Sequence, residues 1–142
     1  MSSYVSVKLR RRIRELFEDR CGYCQTAEAL TADIFEIEHI VPRAVGGETI
    51  FENLCLACPT CNRYKSDRVS FQSKPSDSEV KLFHPQQNAW SDHFRWNDDA
   101  TELLGVTPIG QATIDLLRIN RPQMIRVRRM WVAMGEHPPN FA

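Results

Sequence analysis

The chain has 142 residues, 42% hydrophobic and 25% charged, a composition that supports a packed core and excludes a disordered chain. No apolar run reaches the length of a membrane span and the N-terminal stretch has no signal-peptide core, so a cytoplasmic protein of about one domain with no membrane partner is expected. Eighteen lysines and arginines balance eighteen aspartates and glutamates, which excludes a uniformly basic nucleic-acid binder. Basic faces remain open, because Lys8, Arg10, Arg11, Arg12 and Arg14 cluster, as do Arg118, Arg121, Arg126, Arg128 and Arg129.

Leu9, Ile13, Leu16 and Phe17 recur at helical spacing and predict an amphipathic helix over Ser6–Arg20. A first Cys-x-x-Cys knuckle, Cys21/Cys24, follows. Ile34, Phe35 and Ile37 read as a short strand running into His39, Pro42 and Gly46-Gly47 mark a loop, and Asn53–Ala57 reads as a second strand. Pro59 suits the first turn of a helix extending to about Val69. Ser70–Ser78 reads as a polar linker. Beyond it, His93–Trp96 and Leu103–Val106 flank the turn residues Asn97-Asp98-Asp99, predicting a hairpin. Thr107-Pro108 starts a helix with Ile114 and Leu117 inward. Asn120 is expected to cap a last helix whose stripe of Val127, Met130, Trp131 and Met134 packs in the core. His84, His93 and His137 lack ligand-like company and read as packing or surface residues.

Five cysteines all fall between Cys21 and Cys61. In a reducing compartment two Cys-x-x-Cys knuckles, Cys21/Cys24 and Cys58/Cys61, predict one tetrahedral thiolate site for structural Zn2+, although the spacing alone also fits iron. Cys55, in an apolar run, is expected to be a buried free thiol. Between the knuckles lies Glu38-His39-Ile40-Val41-Pro42-Arg43, then Gly47, Asn53 and Asn62-Arg63-Tyr64-Lys65. Hydrolysis of a phosphodiester needs an activated water and charge relief on the phosphate. A neutral imidazole, His39, can take the water's proton. Glu38 and the side-chain oxygen of Asn62 are suitable ligands for a hard cation, Mg2+ or Mn2+. Adjacent residues on a strand point apart, which sets Glu38 and His39 on different sides of one phosphate. Arg43, Arg63 and Lys65 are possible phosphate contacts.

The order and spacing over Cys21–Asp67 resemble the HNH endonuclease superfamily, the ββα-metal nucleases, with His39, Asn53 and Asn62 at the three named positions. The stretch Asn62–Asp67 also resembles the corresponding helix in the nuclease domain of guide-RNA-directed DNA endonucleases. The resemblance implies an α+β fold with a ββα-metal core, which with its N-terminal helix takes up 1–70; the elements read beyond it make a hairpin-plus-helices extension, 71–142, expected to pack on that core. It implies a metal-dependent DNA endonuclease or nicking enzyme leaving 5′-phosphate and 3′-hydroxyl ends. It further implies that Asn53 orients the loop bearing His39 through backbone hydrogen bonds. The alternative is a non-catalytic zinc module that binds nucleic acid or a protein. Such a module needs the four cysteines but not Glu38, His39 and Asn62. Oligomeric state and target sequence have no recognisable signature.

Overall fold

A computed structural model describes residues 4–140. The chain divides into two compact units. The first comprises the chain up to Val69 together with His84–Asn88; the second comprises Ser70–Phe83 and the chain from Ala89 onward. The elements are mixed helix and small sheet, an α+β arrangement.

The first unit opens with helix α1 (Val7–Phe17), whose N-cap Ser6 accepts a hydrogen bond from the Leu9 N–H. It ends three residues before the expected Arg20, because Glu18 and Asp19 both take left-handed backbone angles. Ile13 is its buried residue, and the helix lies against strand β2. Its polar face is electrostatically unfavourable. Val7–Arg14 contains no acid, and like charges such as Lys8/Arg12 at i,i+4 cost about 0.2–0.5 kcal/mol per pair. Arg14 is relieved by Glu28 at 2.9 Å and Asp19 at 3.2 Å, contacts that raise its pKa further, the Glu28 bond foremost.

Strands β1 (Glu36–His39) and β2 (Leu54–Ala57) pair antiparallel, Glu36 opposite Ala57 and His39 opposite Leu54. Ile34 precedes the strand and is exposed. The two-residue period puts Glu36, Glu38, Cys55 and Ala57 on one face and Ile37, His39, Leu54 and Leu56 on the other. Helix α2 (Pro59–Lys65) lies against β1. Its N-cap is Cys58, whose Sγ accepts from the Cys61 N–H, and Pro59 fills the first turn as expected. The helix stops at Lys65 rather than Val69, since Ser66 adopts φ 52°. His84–Asn88 joins this unit through Gln86, which donates to the carbonyls of Phe51 and Leu54.

In the second unit, the first two residues of the expected linker form β3 (Ser70–Phe71), paired with β4 (Val80–Lys81), and 72–78 lie in the irregular connection between them. A short helix α3 (Trp90–His93) leads into the hairpin of β5 (Phe94–Trp96) and β6 (Leu103–Gly105). The hairpin tip is closed by Asn97 Oδ1, which accepts from Thr101 and Glu102. Helix α4 (Pro108–Leu117), capped by Thr107, lies against β6. Helix α5 (Pro122–Ala133) departs from the sequence reading twice. Arg121, not Asn120, occupies its N-cap position, while the Asn120 amide bonds both the N–H and the carbonyl of Leu103. Trp131 is buried, but Met130 and Met134 are 59% and 64% exposed, so the stripe is not a core stripe. The inward position belongs to Arg128, which donates to the carbonyls of Thr101 and Ile119. Those carbonyls would otherwise be buried without donors. His137 is buried against the Ala100 carbonyl, and His93 Nδ1 meets Thr107 Oγ1 at 2.7 Å.

Candidate active site and metal centre

The two knuckles converge. The Sγ atoms of Cys21, Cys24, Cys58 and Cys61 all lie within 4.8 Å of one another and all four residues are buried. Cys24 and Cys58 are 3.9 Å apart, close to the ~3.8 Å edge of a tetrahedron built on 2.3 Å zinc–sulfur bonds. Burial and the neighbouring thiols push the Cys21 thiol well up, contact with the other three pushes Cys61 well up, and contact with Cys21 draws Cys24 well down. Four thiolates this close repel, so a cation at their centre is what allows all four to ionise. The cluster could therefore hold a metal ion, and it would join the turn after α1 to the start of α2. Cys55 is not part of it. It is a buried thiol on β2 whose Sγ contacts Glu38 Oε2 at 3.2 Å.

His39 ends β1 and is half-buried. Its Nε2 lies 2.8 Å from Thr49 Oγ1. Burial, then the charges of Arg43 and Lys65, lower its pKa below the ordinary histidine value, which favours the neutral ring. The loop between β1 and β2 is held by Asn53. Its Oδ1 accepts from the Val41 N–H at 2.8 Å, and its Nδ2 donates to the carbonyls of Val41 and Glu48. Gly47 makes this closure possible: a Cβ there would fall 1.7 Å from the Val41 carbonyl oxygen and 3.0 Å from Asn53 Nδ2.

On the opposite face of β1, Glu38 is only 6% exposed. Its Oε1 is 2.8 Å from Lys65 Nζ, and its Oε2 accepts from Tyr23 Oη at 2.8 Å and from Cys55. Burial raises its pKa, against the pull of Lys65, Tyr23 and Cys55. Lys65, 1% exposed, also donates to the Ile40 carbonyl at 2.9 Å. These contacts bear on two expectations. Lys65 faces the interior, so it is not a surface phosphate contact. Glu38 Oε1 faces Lys65 as an ion pair without a hydrogen bond, Oε2 accepts from Tyr23 and Cys55, and Glu38 is not hydrogen-bonded to Asn62. Asn62 instead donates through Nδ2 to Glu36 Oε1 at 3.1 Å, on the exposed part of the same strand face.

A family model described as HNH endonuclease matches residues 21–68. Residues 21–68 form an HNH endonuclease domain. Among curated proteins the chain is 24% identical, over 152 aligned residues and 89% of its length, to Septu protein PtuB of Bacillus mycoides (strain KBAB4). It spans about half, 51%, of that protein. No solved structure matches. No helix among the described residues is long and apolar enough to cross a membrane.

Within the HNH domain, Arg43 and Arg63 are exposed, and Arg43 Nη1 lies 3.5 Å from Thr49 Oγ1. Sequence reasoning missed Thr49, Tyr23 and Glu36. Strand alternation gives a signal for Glu36, two residues from Glu38 on one face. Thr49 and Tyr23 reach the site through tertiary folding, and neither has a local sequence signal.

Proposed function

We propose that this chain is a metal-dependent endonuclease that hydrolyses DNA phosphodiester bonds, with His39 as general base. The observation that carries this reading is the setting of His39. Thr49 contacts Nε2 at 2.8 Å, and burial and nearby cations lower the pKa of the ring, which favours its neutral form. In the tautomer whose Nε2–H donates to Thr49, the lone pair of Nδ1 is the one free to take a proton from water. Asn53 and Gly47 hold the loop that presents the ring. The oxygen donors suited to Mg2+ or Mn2+ are Asn62 and the carboxylates on its side of β1. Of these Glu36 already touches Asn62, whereas Glu38 joins only if Lys65 gives way. When bound, such an ion supplies charge relief at the phosphate and the leaving oxygen. Arg43 and Arg63 are surface cations suited to neighbouring phosphates.

Zinc is the proposed occupant of the four-cysteine cluster, with a structural role. The buried free thiols suit a reducing, cytoplasmic setting. Incubation of supercoiled plasmid with wild type and His39→Ala, with and without Mg2+ or Mn2+, tests the reading. Nicked or linear product from wild type alone, dependent on metal, is expected. No cleavage by either protein would leave a non-catalytic zinc module, and equal cleavage by both would remove His39 as the base.

A further inference from the structure

Resting on the nuclease reading above, we propose that the outer face of α1 is a docking surface for the phosphate backbone of double-stranded DNA, continuous with the loop that carries His39. Helix α1 carries five cations, Lys8, Arg10, Arg11, Arg12 and Arg14, against one acid, Glu15, four residues after Arg11. Lys8, Arg10, Arg11 and Arg12 are exposed, and Val7–Arg14 contains no acid. Lys8 stands in the first turn, where the helix dipole favours anions. Lys8 neighbours Arg11 and Arg12 on one face, a repulsive arrangement. Glu28 and Asp19 neutralise Arg14, but among the described residues no ion pair relieves the other four. Packing does not demand them, since the helix buries Ile13. An external polyanion relieves every one of these repulsions.

A second observation fixes where the polyanion lies. The Arg12 guanidinium sits 4.2 Å over the ring of Phe51. Phe51–Asn53 is the turn whose Asn53 ties Val41 and Glu48 together. The cationic face therefore begins at the rim of the loop that presents His39. From Lys8 to Arg12 the helix rises about 6 Å, roughly two charge spacings of one strand as measured along the duplex axis. The exposed arginines of α5 differ, since they are interspersed with exposed Met130, Val132 and Met134. A strand of phosphates suits the all-cationic face better than the mixed one.

The test uses the zinc-loaded full chain carrying His39→Ala, so that the DNA stays intact, and a short fluorescent duplex whose binding is followed by anisotropy across a salt series. Lys8→Gln/Arg11→Gln leaves the Arg12–Phe51 contact in place; a triple variant adds Arg12→Gln. Each lost phosphate contact should lower the slope of log affinity against log salt by about 0.9, so the double variant loses roughly two units. Arg126→Gln/Arg129→Gln should keep the parent slope. The proposal is overturned by α1 variants that retain helical circular dichroism and the parent slope, by a parent that does not bind the duplex, or by binding of an acidic polypeptide in preference to DNA. Cleavage by wild type with an unchanged slope in the α1 variants sinks the docking surface alone. A lowered slope without any cleavage by wild type sinks the nuclease reading alone.

Discussion

Lys65 and Glu38 form an ion pair at 2.8 Å, shut away from water beneath the loop that bears His39. The same ammonium donates to the carbonyl of Ile40, the residue after His39. The pair thus couples helix α2 to the end of β1 directly behind the proposed base, while Tyr23 and Cys55 take the second carboxylate oxygen. Two charges inside a protein are tolerable only when each answers the other; here Oε1 has the Lys65 ammonium as its counter-charge but makes no hydrogen bond.

Breaking this pair from one side should therefore be worse than removing it altogether. Glu38→Gln and Lys65→Met should each cost about 3–5 kcal/mol of folding stability, because each strands a buried polar or charged partner. The double variant Glu38→Gln/Lys65→Met should recover a large part of that loss. Urea denaturation of the four zinc-loaded proteins gives the coupling. Strictly additive losses would mean that the two side chains do not act as a pair.

The same burial separates two carboxylates that the sequence alone could not rank. Glu36 touches Asn62 at the surface, so Glu36→Gln should raise the Mg2+ concentration needed for half-maximal cleavage and leave stability within about 0.5 kcal/mol of wild type, as surface substitutions do. Glu38→Gln should act mainly through stability. A metal titration in which Glu38→Gln shifts the midpoint and Glu36→Gln does not would return the ligand role to Glu38 and require Lys65 to move on metal binding.

The thiol cluster makes a separate prediction. Zinc at Cys21, Cys24, Cys58 and Cys61 should be present in the purified protein at one ion per chain. Apparent zinc-binding energies in small sites reach about 10 kcal/mol, so chelation or Cys58→Ser should unfold the first unit. Cys58 also caps α2, which adds the loss of that cap. Cys55→Ser, outside the cluster, should leave zinc content unchanged. Metal analysis with circular dichroism decides it, and a protein folded and metal-free would count against the structural role.

What was legible in the sequence follows the range of the interactions. The knuckle spacing, the strand–loop–strand order and the stop-and-start residues act locally, so Cys21/Cys24, Cys58/Cys61, Pro59, Thr107 and the hairpin from Phe94 to Gly105 could be read directly. The helices end earlier than periodicity predicts, because Glu18, Asp19 and Ser66, which take positive φ, are not residues that announce a stop. Composition suggested a linker at Ser70–Ser78, where pairing with Val80–Lys81 makes a strand of its first two residues. At the site, charge type misled. Glu38 and Lys65 read as surface chemistry, and only the packing of α2 on β1 turns them inward. On α5 the opposite error arose, with Arg128 buried by its carbonyl partners and Met130 left outside.

The setting of His39 carries the most direct test of catalysis. Its pKa is lowered, by burial first and then by Arg43 and Lys65, so the neutral base should persist below the ordinary histidine range near 6.5. Cleavage should stay level as pH falls through that value and decline only below the lowered pKa. Removing a nearby positive charge should raise the pKa, so in Arg43→Gln the acid limb moves to higher pH. The position of the limb, not the height of the plateau, is the readout, because Arg43 is also a proposed phosphate contact. His39→Ala should lose about a hundred- to ten-thousand-fold in rate, or about 3–5 kcal/mol of activation free energy. Thr49→Val should lower kcat more than it changes KM, by releasing the ring from its 2.8 Å contact, and Thr49→Ser should restore it. Rates for Arg43→Gln whose acid limb coincides with wild type, together with a fully active His39→Ala, would remove His39 as the base.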